Sequence, residues 1–310
     1  MCMMIQEKYI DPFTDFGFKW LFGNENHKDI LIRFLNDLID DLEFPIVKIE
    51  YRNLEKLGLS ILDRKAIFDI YCTDSNDEHF IVELQRSKQT YFKDRSVYYT
   101  SFPIQEQAKK GSWNYRLNKV YFIAILEFNI DDDENYIKKV SLYDEYTKKQ
   151  FYDKLTYYYI ETPKFKKREN ELSSKLDEWL YILNNMIDLV DIPKKLKDDE
   201  VMKEFFDIAE FLRLSKGEQF AYQQELKAKL DYINVMRYAE DEAKKKGLEI
   251  GLEKGIEKGI EKGLIQGRKE GIEKAKIEFV KNLLDILDDE TISKKVDLDI
   301  ELVRKLRVSF

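Results

Sequence analysis

The segment KVYFIAILEF, residues 119–128, is continuously apolar through its centre, with aromatic, aliphatic and β-branched side chains on consecutive positions. An alternating strand exposes one face, whereas a run like this belongs in a strand covered on both. The segments around it supply the cover. HKDILIRFLNDLID places Ile30, Leu31, Phe34, Leu35 and Leu38 on one helical face. FPIVKIEYRNLE reads as a first strand, RKAIFDIYC and HFIVELQ as the arms of a hairpin, and TYFKDRSVYYTSFPIQEQAKK as a helix interrupted near Pro103. YIKKVSLYD and KLTYYYIE add two further strand candidates. The order helix, three-strand meander, helix, strand describes an α/β layer. Beyond about residue 170 everything reads helical, so the expected division is an α/β domain over 1–168 and an all-helical C-terminal region over 169–310.

With 310 residues and 44% hydrophobic side chains the chain can bury a substantial core, and its 36% charged residues are balanced in sign, unlike a disordered tail. The opening MCMMIQEKYIDPF lacks a basic flank, an apolar centre and a cleavage site, and no apolar run reaches membrane-spanning length. The expectation is a soluble cytoplasmic protein. Cys2 and Cys72 give no disulfide framework and no zinc spacing. His27 and His79 are the only histidines and read as ordinary loop or surface residues, so histidine-based nucleophilic chemistry has little to build from. A net charge of -8 argues against coating nucleic acid through bulk positive charge. Local basic stretches remain: PKFKKR, with Lys166, Lys167 and Arg168, and the series Lys88, Lys93, Arg95, Lys109, Lys110, Arg116 and Lys119. These are either phosphate contacts or a solvated face.

The C-terminal region contains a repeat. In KGLEIGLEKGIEKGIEKGLIQGRKEG the residues Gly247, Gly251, Gly255, Gly259, Gly263, Gly267 and Gly271 recur every fourth position within a helix expected over about 218–285. Each glycine costs a helix interior roughly 1 kcal/mol relative to alanine. The period of four exceeds 3.6, so the stripe drifts in the sense that favours right-handed crossings, and bare backbone admits a close neighbour. The segment is either a self-association or partner-binding helix, or a loosely ordered charged tail.

The hairpin carries the chemistry. In its second arm His79, Ile81, Glu83 and Gln85 share one face; in its first, Ile67, Asp69 and Tyr71 do. If the TDSNDE turn is centred near Asn76, Asp69 and Glu83 fall opposite each other. Like charges facing across a sheet need a proton, a basic partner such as Lys65 or Arg95, or a cation. A hard divalent ion such as magnesium suits two such oxygen donors.

Several stretches now line up in order: DPFTDFGFKWLFG at 11–23, Asp69, ELQ at 83–85, DRSVYYTSFPIQEQ at 94–107 and NKVYFIAILEF at 118–128. Over roughly residues 9–165 the chain resembles the recombination-promoting nuclease and transposase family of bacteria. That family is a branch of the PD-(D/E)xK nuclease superfamily in which the motif lysine is glutamine. The resemblance implies a restriction-endonuclease-like core, and a magnesium-dependent DNA endonuclease, with manganese as a substitute, linked to recombination or mobile-element and defence biology. It implies Asp69, Glu83 and the backbone carbonyl of Leu84 as metal ligands, and Gln85 as hydrogen-bond partner of the attacking water or the phosphate. Asp15 would be an auxiliary acid or a helix N-cap, Lys19 a phosphate contact or a residue between core side chains, and Arg95 a phosphate or carboxylate partner. Tyr98, Tyr99 and Gln107 are substrate contacts or packing residues. A homodimer or higher oligomer through the C-terminal helices would pair two active sites for cutting both strands.

Two alternatives stand beside this reading. One is a weak or inactive nuclease-like module that binds DNA or protein through its helical tail. The other is a strand-transferring enzyme whose site needs a third carboxylate from a distant helix, for which Glu169, Glu171 and Glu178 are the candidates.

Overall fold

The computed structural model describes residues 7–53, 55–56, 66–108 and 113–309, so Cys2, Lys65, Lys109 and Lys110 lie outside the described residues. The N-terminal stretch gives α1 (Asp15–Phe22) and α2 (Lys28–Leu38), then the short strands β1 (Ile49–Tyr51), β2 (Glu55–Lys56) and β3 (Ala66–Ile67). The hairpin is β4 (Ile70–Asp74) and β5 (His79–Gln85), followed by α3 (Phe92–Glu106), β6 (Val120–Leu126), β7 (Ile137–Tyr143) and β8 (Gln150–Glu161). Helices α4 (Lys175–Asn185), α5 (Glu200–Ala209), α6 (Lys216–Leu283), α7 (Asp289–Val296) and α8 (Ile300–Val308) complete the chain.

A six-stranded mixed sheet has the order β1-β4-β5-β6-β8-β7, and β2 and β3 form a separate two-stranded ribbon. The meander β1-β4-β5 is antiparallel, α3 crosses over, and β6 returns parallel to β5, as does β8 to β6. Every residue of β6 is buried, as a strand packed on both faces requires. One face, with Ile70, Cys72, Phe80, Val82, Tyr121, Ile123 and Tyr158, packs with residues of α1, α2, α4 and α5. The other, with Tyr71, Ile81, Phe122, Ala124, Tyr157 and Tyr159, packs with Phe92, Tyr99 and Phe102 of α3.

Four local expectations need correction. The first hairpin arm is not one strand: it breaks at Phe68 and Asp69, because the Asp69 N–H is spent on the Glu83 side chain instead of a ladder partner. Helix α3 runs through the buried Pro103 to Glu106; the proline forfeits one hydrogen bond near the helix end, which a single further turn tolerates. His79 is buried in β5, its Nδ1 2.7 Å from the Tyr71 hydroxyl. The N-cap of α1 is Thr14, whose hydroxyl accepts from Gly17 N–H, and Asp15 opens the first turn instead.

The chain forms two compact units, Met1–Asp231 and Tyr232–Phe310. In the first, Trp179 of α4 is fully buried among Phe22, Phe34 and Phe205, and its indole N–H donates to Asp37 of α2. The change in composition near residue 168 is therefore not a change in packing. The second unit consists of the remainder of α6 with α7 and α8, whose Val280, Leu284, Ile292, Val296 and Val303 make a small core. Among the described residues no helix is long and apolar enough to cross a membrane.

Candidate active site

The turn of the hairpin sets everything downstream. Asp74 Oδ1 accepts from the N–H groups of Asn76 and Glu78, at 2.9 and 2.8 Å, and Asp77 takes a left-handed backbone with φ 55. The register that follows pairs Ile70 with Val82 and Tyr71 with Ile81. Continued by one residue, it sets Asp69 opposite Glu83, as the turn centre predicts. Phe68, fully buried beneath Tyr71 and Tyr99, anchors the bend; burying such a side chain stabilises by about 1.5–3 kcal/mol.

The two carboxylates are then held by each other's backbone. Asp69 N–H donates to Glu83 Oε1 at 3.1 Å, and Leu84 N–H donates to Asp69 Oδ2 at 2.8 Å. On the β6 side Glu83 lies beside Ala124, whose methyl leaves room for it. Glu83 is only 4% exposed. Burial pushes its carboxyl up to about 8, and the negative charge of Asp69 adds to the rise. Burial raises Asp69 as well, against the opposing effect of the Leu84 N–H. Near neutral pH the pair therefore holds a proton that a cation would displace.

Positive charge surrounds the pair without neutralising it. Lys19 of α1 reaches Asp69 Oδ1 at 3.9 Å while bonding Asp15 at 3.1 Å. Gly17 lets the turn at 11–14 fold back onto the start of the same helix: a Cβ there would sit 2.1 Å from the Asp11 carbonyl oxygen. Arg95 lowers both carboxylates through its charge, yet its hydrogen bonds go to Gln85 Oε1 and, at 2.8 Å, to Gln89 Oε1. Gln85 Nε2 donates to the Ser87 carbonyl at 3.0 Å. Helix α3 is locked above the sheet by Ser96 to Tyr159 at 2.7 Å and Thr100 to Tyr157 at 2.9 Å.

Asp15, Lys19, Asp69, Glu83, Gln85 and Arg95 thus form one constellation drawn from three elements. Among the described residues, the other expected basic side chains make no hydrogen bond or ion pair with Asp69 or Glu83 and have settings of their own. Lys88 donates to the Ile130 carbonyl, Lys93 is exposed on α3, and Lys167 is bound to Asp177 at 2.8 Å. Lys166, Lys167 and Arg168 line a cleft of about 670 Å³ with Asn184 and Lys229, and neither Asp69 nor Glu83 borders it. Gln107 closes on the backbone of Asn118, and Tyr99 packs on Phe68. Gln89, Ser96 and Ala124 are the contributors that sequence reasoning passes over; the spacing of Ser96 and Thr100, one turn apart on α3, was the available signal for the first tether.

The donor set suits a hard cation. Asp69 and Glu83 offer converging anionic oxygens whose mutual repulsion such an ion would relieve. Among the described residues no group of three or more His, Cys, Asp or Glu side chains is placed to hold a metal. Glu169, Glu171 and Glu178 instead accept from Lys194 N–H, Arg168 N–H and Lys175 Nζ.

The sequence pattern of a family described as PD-(D/E)XK nuclease family transposase matches residues 12–239. No curated protein and no solved structure matches the chain.

Proposed function

This chain belongs to the PD-(D/E)XK nuclease family transposases, and from that premise we propose that it is a metal-dependent DNA endonuclease whose active site is the Asp69–Glu83 pair. The observation that carries the reading is the backbone-locked pair itself, Asp69 partly exposed and Glu83 buried and pushed up to about 8. Asp69, Glu83 and the Leu84 carbonyl would hold Mg²⁺, with Mn²⁺ as a substitute. Bound there, a divalent ion lowers the pKa of a water and polarises a phosphate oxygen, which permits phosphodiester hydrolysis without histidine.

The protein's own residues do the rest. Leu84 N–H fixes the orientation of Asp69, and Asp69 N–H that of Glu83. Gln85, on the same face of β5 as Glu83, contributes an amide N–H to the attacking water or the phosphate. Lys19, steadied by Asp15, offers an ammonium to the DNA backbone beside Asp69. Residues 1–168 form the nuclease domain in this reading, and Lys88, Lys93, Lys166, Lys167 and Arg168 add weaker contacts to DNA. The carboxylates on one hairpin beside α3 favour hydrolysis at a single compact site over a strand-transfer site completed from a distant helix.

Within the helical C-terminal region, residues 169–310, the glycine repeat of α6 serves oligomerisation as the contact between copies. Leu248, Leu252, Ile256, Ile260 and Leu264 are all more than half exposed, and a Cβ on any of the seven repeat glycines would meet no other atom within 4 Å. Such apolar, open backbone suits a second helix. A place in mobile-element biology is in keeping with the word transposase in the family's description; the link to recombination or defence rests on the resemblance alone, and a cytoplasmic location is part of the proposal.

Cleavage of supercoiled plasmid with Mg²⁺, Mn²⁺ or chelator tests the reading. Metal-dependent nicking that is lost in Asp69→Ala and Glu83→Ala is the expected result. A wild type that never cuts, or variants that cut equally well, would leave the inactive binding module as the better account.

A further inference from the structure

The strand position that carries lysine in the superfamily pattern holds Gln85, a neutral group. A neutral amide cannot offset the charge that builds on a phosphate during hydrolysis. The structure nevertheless has a fixed positive charge at that position. The Arg95 guanidinium reaches over from α3, and its Nη2 donates to Gln85 Oε1. Nη1 donates to Gln89 Oε1 at 2.8 Å, so two glutamine carbonyls grip one guanidinium. Its Cζ lies 5.4 Å from the Phe92 ring centre and 5.5 Å from that of Tyr99, a setting that holds a cation in place by ring contact. Among the described residues no acid takes up its hydrogen bonds: both partners are amide oxygens, although Asp69 and Glu83 are close enough to feel its charge.

A guanidinium kept for ion pairing would bond to the carboxylates directly. The hydrogen bonds of this one go to neutral acceptors, so its charge is felt by the carboxylates without being locked to either. We propose that Arg95 is the phosphate-stabilising cation of this nuclease, supplied from α3 in place of a strand lysine, and that the side-chain carbonyl of Gln85 seats it while the amide N–H stays available to the water or phosphate. The proposal rests on the endonuclease reading above. It also gives the tethers Ser96–Tyr159 and Thr100–Tyr157 a role, since they fix the height of α3, and hence of Arg95, over the sheet.

A relocation of charge tests it. Arg95→Ala is expected to lower kcat for plasmid nicking about 10²–10³-fold, the range for loss of one such stabilising group, with KM changed less than about threefold. Adding Gln85→Lys to Arg95→Ala returns the charge to the strand and recovers at least about tenfold; a variant that had merely lost its fold could not be rescued this way. Independently of cleavage, the slope of duplex-DNA affinity against salt, measured with Ca²⁺ in place of Mg²⁺, should fall by about one phosphate contact in Arg95→Ala and return in the double variant. If the wild type cuts but Arg95→Ala matches it in kcat and in salt slope, the proposal is wrong and the endonuclease reading stands. If Arg95→Ala loses activity and Gln85→Lys restores neither activity nor slope, Arg95 is structural and the proposal is equally overturned. A wild type that does not cut removes both.

Discussion

The hairpin and the glycine repeat are opposite kinds of local deficit. The hairpin withdraws from water what water would rather keep: two facing carboxylates, Asp69 partly exposed and Glu83 4% exposed with its pKa pushed up to about 8. The repeat does the reverse, leaving Leu248, Leu252, Ile256 and Ile260 exposed on a helix whose glycines weaken it. In the first the unmet need is for a positive ion, in the second for an apolar surface. Each deficit names the chemistry of what would relieve it, and each is concentrated over a short stretch of an otherwise well-satisfied chain. The lesson is that a functional element can be found by its local cost even when its overall fold is ordinary.

Four experiments sharpen or break that contrast. The largest effect is expected at the hairpin: Asp69→Ala should lower nicking ~10³-fold or more, equivalent to about 4 kcal/mol of barrier, while leaving self-association, followed by sedimentation, unchanged. Next is pH. Because Glu83 is raised in the folded state, the stability it contributes is fully present below its unfolded pKa and is lost as pH rises through about 8. In chelator the melting temperature should therefore fall between about pH 5 and 8, and either Mg²⁺ or Glu83→Gln should flatten that slope. Gly17→Ala comes third. With a Cβ placed 2.1 Å from the Asp11 carbonyl oxygen, the turn at 11–14 and the start of α1 must separate, at about 1–3 kcal/mol on urea unfolding, which disturbs the helix that carries Lys19. The smallest change in fold stability belongs to the repeat. Gly255→Ala with Gly259→Ala should strengthen the isolated helix by ~1 kcal/mol per site yet weaken self-association, since the added methyls fill the space a second helix would occupy. Stronger association in that variant would break the contrast.

Much of the hairpin was legible before the structure. The cluster Asp74, Asn76 and Asp77 has only one sensible turn centre, and period-two alternation then puts Glu83 and Gln85 on the same face. The continuous apolar run correctly announced a doubly covered strand, β6. What could not be read was contact between distant segments. Nothing local to Lys19 says that it meets Asp69, some fifty residues on, because the meeting depends on how α1 lies against the sheet. Likewise, Trp179 and Phe205 have helical spacing that fits any core, and only the structure shows them buried with Phe22 and Phe34 in the first unit. His79 looked like a surface residue because a polar side chain beside a turn usually is one; its partner Tyr71 keeps it buried. The break at Asp69 escaped the pattern because alternation describes side chains, whereas the break comes from a backbone N–H bonded to a side chain.

The most direct test of the central claim is calorimetric titration of the chelator-treated protein with Mn²⁺ at neutral pH in buffers of different ionisation enthalpy. The account predicts binding that releases close to one proton per ion, because Glu83 holds a proton below about 8 that the metal must displace. That binding should vanish in Asp69→Ala. Binding without proton release, or binding that survives unchanged in Asp69→Ala, would contradict the assignment of the Asp69–Glu83 pair as the metal site.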